Sequence, residues 1–351
     1  MLKKSDSPIH LAVVVTPSFN CFATMGFIDP FRAANYLEGS QLFRWSFVSE
    51  AGGICYASNG IGVESAPITV MQKTTPDIAV ISSSWTPERH GSKKILFCLR
   101  EWSKKKAKIA GLDTGAFIMA QSGLLKGRRA TVHYEHVDAF EELYPNVEVV
   151  EELFVLDDRF LSCCGGTASV DFGLHILQGI SGPALANRAA RYIFQPKLRE
   201  RGDWQQPVVA EPTGATVPAL VKRVIQTMED NLETPLSIPE ICDSVGFSHR
   251  QVSRLFAKHI KKPPANYYLD IRLDRARGLV TQTEMSMLEI SVASGFSSQV
   301  HFSRAYKERF GLPPIKDRSE GRIPFEFRAW PMYRKKREIT PKAKKDNQKA
   351  K

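Results

Sequence analysis

The chain has 351 residues, 43% of them hydrophobic, with 48 basic and 37 acidic residues and a formal net charge of +11. This length and apolar content exclude a mainly disordered chain and predict two domains. Six cysteines without zinc-ligand or CxxC spacing exclude a disulfide-stapled scaffold, a metal site and a thiol redox motif. No apolar run reaches the ~18 residues of a membrane span. A reduced, cytoplasmic protein with no leader and no membrane segment is therefore expected.

In chain order, Ile9 to Val15 (IHLAVVV) reads as a buried first strand ending at Thr16-Pro17. Phe27 to Leu37 reads as a helix with Asp29-Pro30 near its start. Phe43 to Ser49, Gly62 to Thr69 and Asp77 to Ser82 read as strands, and Lys93 to Ala107 as a helix with its basic residues in solvent. Lys108 to Leu112 is a strand followed at once by Thr114-Gly115 and a helix to Gln121. Thr131 to Tyr134 and Phe154 to Ser162 read as later strands, and Ala168 to Leu177 begins a helix after Gly165-Gly166. Strands alternating with helices predict an α/β sandwich around a mostly parallel sheet over residues 1–200. Residues 201–216 are rich in proline and glycine and read as a linker. No GxGxxG follows a strand, so a dinucleotide site is excluded and no cofactor is expected.

From Val217 the pattern is helical, starting with Val221 to Asn231. A near-repeat follows. IPEICDSVGFSHRQVSRLFAKHI starts at Ile238 and MLEISVASGFSSQVHFSRAYKERF starts at Met287. Gly246 matches Gly295, Ser248 matches Ser298, and Ser253-Arg254 matches Ser303-Arg304. Each copy reads as a short helix, a Gly-Phe-Ser turn and a second helix, with Ser248 as N-cap and Gln251 completing a capping box. Val252, Leu255 and Phe256 lie on one face of the first copy; Phe302 and Tyr306 form the inner face of the second. His249, Arg250, Gln251 and Arg254 lie on the other face, as do Ser298, Gln299, His301 and Arg304. Tyr267 to Val280 reads as one helix able to hold the two copies about one DNA turn apart. The charge agrees: residues 1–215 are neutral, whereas 316–351 hold 13 basic and 5 acidic residues, including RKKR at 334–337. Double-stranded DNA is the expected partner, and residues 319–351 read as a flexible basic tail.

Residues 217–318 resemble the double helix-turn-helix domain of the arabinose-operon regulator (AraC/XylS) family, through GFSHRQVSRLF, RLDRARGLV and GFSSQVHFSRAYKERFGLPP. The resemblance implies operator binding, usually as a homodimer and often with activation through RNA polymerase. It implies base reading by His249, Arg250, Gln251, Ser298, Gln299 and His301, with Arg254 and Arg304 on phosphate or supporting the fold. The chain departs from that family at Lys261, where glycine is usual, at Asp317, where an aromatic is usual, and at Ser291 and Cys242, where a small alanine is usual.

The strand, tight turn and helix of KIAGLDTGAFIMAQSGLLKGRRATVH put Asp113 at an elbow on top of the sheet, where hydrolases and amidotransferases expose a nucleophile. A carboxylate does not replace a thiolate in that chemistry. This half resembles the DJ-1/PfpI, or class I glutamine amidotransferase-like, superfamily, through DTGAFIMAQSGLLKGRRATVHYE, FIDPFRAAN and CCGGTASVDFGLHIL. The whole chain resembles GlxA-like regulators. Catalytic members carry cysteine at the elbow; here it is Asp113, so a non-catalytic sensor is expected. An amidase- or deglycase-like enzyme and a domain that only dimerises are the alternatives. Asp at the elbow is similar to regulators of arginine, glycine betaine or carnitine catabolism, which implies a small amino-acid or quaternary-amine effector. For such a cation Asp113 supplies the carboxylate, Phe19, Phe22, Trp85 and Tyr134 are candidate aromatic faces, and His133 and the backbone of Thr114 and Gly115 are candidate contacts.

Overall fold

The computed structural model describes residues 7–195, 198–205 and 218–320. The first strand, β1 (Ile9–Val15), shows how the α/β half is built. Leu11, Val13 and Val15 enter one apolar core, while Ala12 and Val14 enter another on the opposite face. A strand buried on both faces must be apolar throughout, which explains its unbroken run. Next come α1 (Cys21–Glu38), β2 (Phe43–Ser49), β3 (Gly53–Tyr56), β4 (Gly62–Pro67) and β5 (Ile78–Ser83). They are followed by α2 (Lys93–Lys104), β6 (Lys108–Asp113), α3 (Gly115–Gln121), β7 (Arg129–Ala130), α4 (Val137–Leu143) and β8 (Glu148–Val149). The half closes with β9 (Phe154–Asp157), β10 (Phe160–Cys163), α5 (Ala168–Ser181) and α6 (Pro183–Tyr192).

The eight-stranded sheet has the order β3-β4-β2-β1-β5-β6-β10-β9. Its central pairs are parallel, and only the outermost strands β3 and β9 pair antiparallel with their neighbours. Phe27 and Phe31 of α1, Phe172 of α5 and Leu185 of α6 fill one face. Leu99 and Trp102 of α2, Phe117 of α3 and Phe140 of α4 fill the other. Each such side chain contributes roughly 1.5–3 kcal/mol by burial.

The helical half holds α7 (Ala219–Glu229), α8 (Ile238–Val245), α9 (His249–His259), α10 (Pro264–Gln282), α11 (Met287–Ala293), α12 (Gln299–Phe310) and α13 (Pro314–Glu320). Val224, Met228, Ile241, Val245, Val252, Phe256 and Tyr268 form one small core. Leu273, Leu279, Ile290, Phe296, Phe302 and Tyr306 form a second. Helix α10 belongs to both, through Tyr268 near its start and Leu273 onward.

Several expectations need correction. Helix α1 starts at Cys21 rather than Phe27, because Asn20 caps it with its side chain on Ala23 N, and Pro30 lies inside the helix. Residues 62–69 do not form one strand: β4 stops at Pro67 and a 3-10 turn begins at Ile68. The segment 154–162 is a hairpin, turned at Asp158 with φ +52°. Residues 131–134 form no strand; β7 ends at Ala130 and a 3-10 turn covers Tyr134–His136. The start of the expected linker packs on the sheet half: Leu153 N donates to Asp203 O, and Gln205 Nε2 donates to Val132 O. The rest of that linker, 206–216, lies outside the described residues, as do residues 321–351 of the expected basic tail, whose first two residues, Ser319 and Glu320, belong instead to α13. No helix among the described residues is long and apolar enough to cross a membrane.

Candidate functional site

Asp113 ends β6 with φ +60°. L-residues resist this left-handed conformation, and Asp tolerates it better than most. Gly115 follows because nothing larger fits: a Cβ there would stand 2.2 Å from the carbonyl oxygen of Ile81. Gly165 is pressed against the same turn, where a Cβ would lie 3.1 Å from that of Asp113. Buried hydroxyls tie the neighbouring strand ends together. Thr24 Oγ1 and Ser82 Oγ are 2.6 Å apart, Thr16 Oγ1 donates to Ser83 Oγ at 3.0 Å, and Thr114 Oγ1 donates to Ser84 O at 2.6 Å.

The Asp113 side chain is 4% exposed and accepts a 2.6 Å hydrogen bond from Asn20 Nδ2. Asn20 therefore works twice: its oxygen caps α1 and its amide nitrogen holds the carboxylate. Burial pushes the Asp113 carboxyl up to about 6, opposed by nearby His133 and the Asn20 hydrogen bond. His133 is half-buried; its ring lies 4.6 Å from that of Tyr134, and its backbone N–H donates to the backbone O of Asp113 at 3.3 Å. Behind it His136 is buried and pushed down to about 3, first by burial and then by the His133 charge.

Phe22 is 59% exposed on the first turn of α1, and Tyr134 is also exposed. Trp85 is half-buried just after Ser84, the acceptor for Thr114. Phe19 is different. It is fully buried in the sheet core and bridges Ala57 and Ser84, so it offers no face to a ligand. Thr114 and Gly115 are buried as well. Asn20 has no signal in the sequence for its hold on Asp113; its place immediately before Cys21 marks it only as a helix cap. Cys163 and Cys164 are buried, and their mutual hydrogen bond and burial push the Cys164 thiol far up. It stays protonated, which removes the thiolate that reactivity needs. Two adjoining clefts of about 380 and 390 Å³ lie elsewhere, around Arg129, Glu152 and Gly202. They lack the buried carboxylate and strained turn of the elbow.

The segment that follows His133 also touches the helical half. Helix α10 packs on α4 and on the 3-10 turn Tyr134–His136. A Cβ at Gly278 would stand 3.9 Å from Glu135 O. Arg275 pairs with Asp138 at 3.7 Å, and Arg89 with Glu284 at 3.5 Å.

In the helical half the two reading helices start as their caps dictate. Ser248 Oγ accepts from Gln251 N, and Gln251 Oε1 accepts from Ser248 N at 3.0 Å. Ser298 Oγ accepts from His301 N at 3.2 Å. The first helices are capped too, by Ser237 with Glu240 and Ser286 with Glu289. His249, Arg250, Gln251 and Arg254 are all exposed, as are Ser298, Gln299, His301 and Arg304. Ser298 and Gln251 are committed to caps, so each brings only its remaining hydrogen-bonding capacity to a groove.

A parallel α/β sheet with an acidic elbow, joined to two capped helix-turn-helix units, defines a two-part DNA-binding regulator. Residues 241–320 match a helix-turn-helix domain family, and residues 14–179 match the DJ-1/PfpI family. The transcriptional regulator CdhR of Pseudomonas aeruginosa is 36% identical over 87% of this chain and 90% of that protein. GbdR, a transcriptional regulator from the same species, is 30% identical over 90% of this chain and 85% of that protein. A solved transcriptional regulator with an AraC-type DNA-binding domain, from Chromobacterium violaceum, is 41% identical over 30% of this chain and 93% of that one, with a TM-score of 0.29. The chain belongs to the AraC-type helix-turn-helix transcriptional regulators that carry a DJ-1/PfpI domain.

Proposed function

We propose that the sheet half is a non-catalytic sensor for a small cationic metabolite, an amino acid or quaternary amine, and that the chain activates catabolic genes as a homodimer at an operator. The observation that carries this reading is the carboxylate of Asp113, buried in a strained turn and held by Asn20. A carboxylate whose charge is disfavoured by burial gains most from a cation beside it. Phe22, Tyr134 and Trp85 are the aromatic faces for that cation, with His133 beside them. In the operator, His249, Arg250, Gln251, Ser298, Gln299 and His301 meet base edges, and Arg254 and Arg304 meet phosphate. RNA polymerase is the further partner of an activator. Occupancy of the elbow acts through residues 133–138, which are seated on α10, the helix shared by both reading units.

The test is a thermal-shift panel on the full chain with arginine, glycine betaine, dimethylglycine, carnitine, choline and simple amino acids. One compound raises the melting temperature in proportion to dose, and Asp113→Asn abolishes the rise. No shift with any compound, or a shift undiminished in the variant, overturns the assignment. The pH dependence has a fixed sign. Cation binding needs the ionised carboxyl, so affinity is full above pH 6 and falls about tenfold per unit below it. Without ligand the folded carboxyl holds its proton to higher pH than the unfolded one. Asp113→Asn therefore raises stability at pH 8 by about 3 kcal/mol, and the gain vanishes below pH 4.

A further inference from the structure

At one exposed matched position a cation in one reading helix stands against an apolar side chain in the other. Ser248 and Ser298 are both N-caps, and Ser253-Arg254 aligns with Ser303-Arg304, which fixes the register at an offset of 50. In that register Arg250 corresponds to Val300. Val300 is 81% exposed, the most exposed large apolar side chain of the described helical half. It lies on the first turn of α12 between exposed Gln299 and His301. Among the described residues the inner face of α12 is formed by Phe302, Ala305 and Tyr306, and Val300 has no part in it. Valine is also a weaker helix former than the straight-chain residues that suit an exposed turn.

We propose that Val300 reads the 5-methyl group of a thymine in the operator. Residues at the start of the second helix of such a unit reach base edges in the major groove. There the thymine methyl is the apolar feature that a small branched side chain can cover, while guanidinium groups suit guanine. Val300 and Arg250 then make the two units read different bases: a thymine under the second unit and a guanine under the first. The assignment rests on DNA binding by the helical half and is independent of what the sheet half senses.

The experiment selects an operator from random duplex DNA with the full chain, then replaces each thymine of the selected sequence by deoxyuridine, which removes only the methyl. One replacement weakens wild-type binding about fourfold, the effect of losing one buried methyl group. The same replacement has no effect on Val300→Ala, whose own selected sequence no longer requires that thymine. Arg250→Ala, by contrast, binds more weakly but keeps the full thymine-to-deoxyuridine effect. Val300 is on the surface, so Val300→Ala keeps its fold, checked by its melting temperature. The proposal is overturned if no replacement weakens wild-type binding, or if Val300→Ala retains the full loss.

Discussion

The two helix-turn-helix units come from one duplicated pattern, yet they carry different structural loads. In both, an arginine from a preceding helix closes the turn. Arg223 donates to Val245 O in the first, and Arg272 donates to Ser294 O and Gly295 O in the second. These arginines are 49 apart, like Gly246 and Gly295, so the duplication extends back into α7 and the middle of α10. Gly246 has φ +77° and open space around it. Gly295 has φ +71°, but a Cβ there would meet Leu232 O and Pro235 at 2.4 Å. The second turn is wedged against the loop between α7 and α8, while the first faces solvent. At the ends of the reading helices the order reverses. Gly311 takes the left-handed conformation after α12, but after α9 Lys261 must take it, at φ +62°. The lesson is that a repeated sequence constrains local shape equally but packing unequally: the second unit is the inner one.

Substitutions at matched positions test this asymmetry. The largest effect belongs to Gly295→Ala, which costs more than about 3 kcal/mol because the new methyl overlaps backbone. Gly246→Ala costs only the left-handed penalty of about 1 kcal/mol. Urea melts followed by far-ultraviolet circular dichroism separate the two, and equal losses break the comparison. Arg250→Ala comes next, weakening operator binding by about 2 kcal/mol, some thirtyfold, with an unchanged melting temperature; a titration by fluorescence anisotropy reads it.

A further substitution concerns the swap Phe256-Tyr267 against Tyr306-Asp317, again 50 apart. The first is an edge-on aromatic pair with rings 5.8 Å apart. In the second the Tyr306 hydroxyl donates to the buried Asp317 carboxylate at 2.8 Å, which Arg277 also holds at 3.1 Å. Tyr306→Phe leaves that carboxylate one donor short and costs about 1.5 kcal/mol. A calorimetric melt measures the loss, and neutrality would mean that Arg277 alone suffices. The smallest effect is a gain: Lys261→Gly relieves the strained helix end and stabilises the first unit by about 1 kcal/mol.

Legibility followed local chemistry. The reading helices were readable because Ser248, Gln251, Ser298 and the turn glycines are local signals with one structural meaning. Strands β1 and β2 were readable residue for residue, β1 from its apolar run. The short edge strand β3 was not: Gly52-Gly53 and four residues carry too little pattern. The hairpin at Asp158 was hidden because its left-handed residue is not glycine. Helix α6 gave no signal beyond Pro183 at its first position. Asp113 stood out as a turn residue, but its partner Asn20 lies 93 positions away. Nothing local links them, and Phe19 looked equally eligible until burial placed it in the core.

The seat of residues 133–138 on α10 bears on how far these two halves are interchangeable. Asp138 and Arg275 are each other's counter-ions, and Gly278 lies close to the Glu135 carbonyl. Grafting this sheet half onto a helical half that lacks an arginine at 275 and a glycine at 278 would strand a carboxylate at the junction and set a larger side chain against that carbonyl. A working chimera would have to transplant positions 275 and 278 together with the sheet half. The working boundary of the sheet half therefore runs through the middle of a helix as well as through the linker.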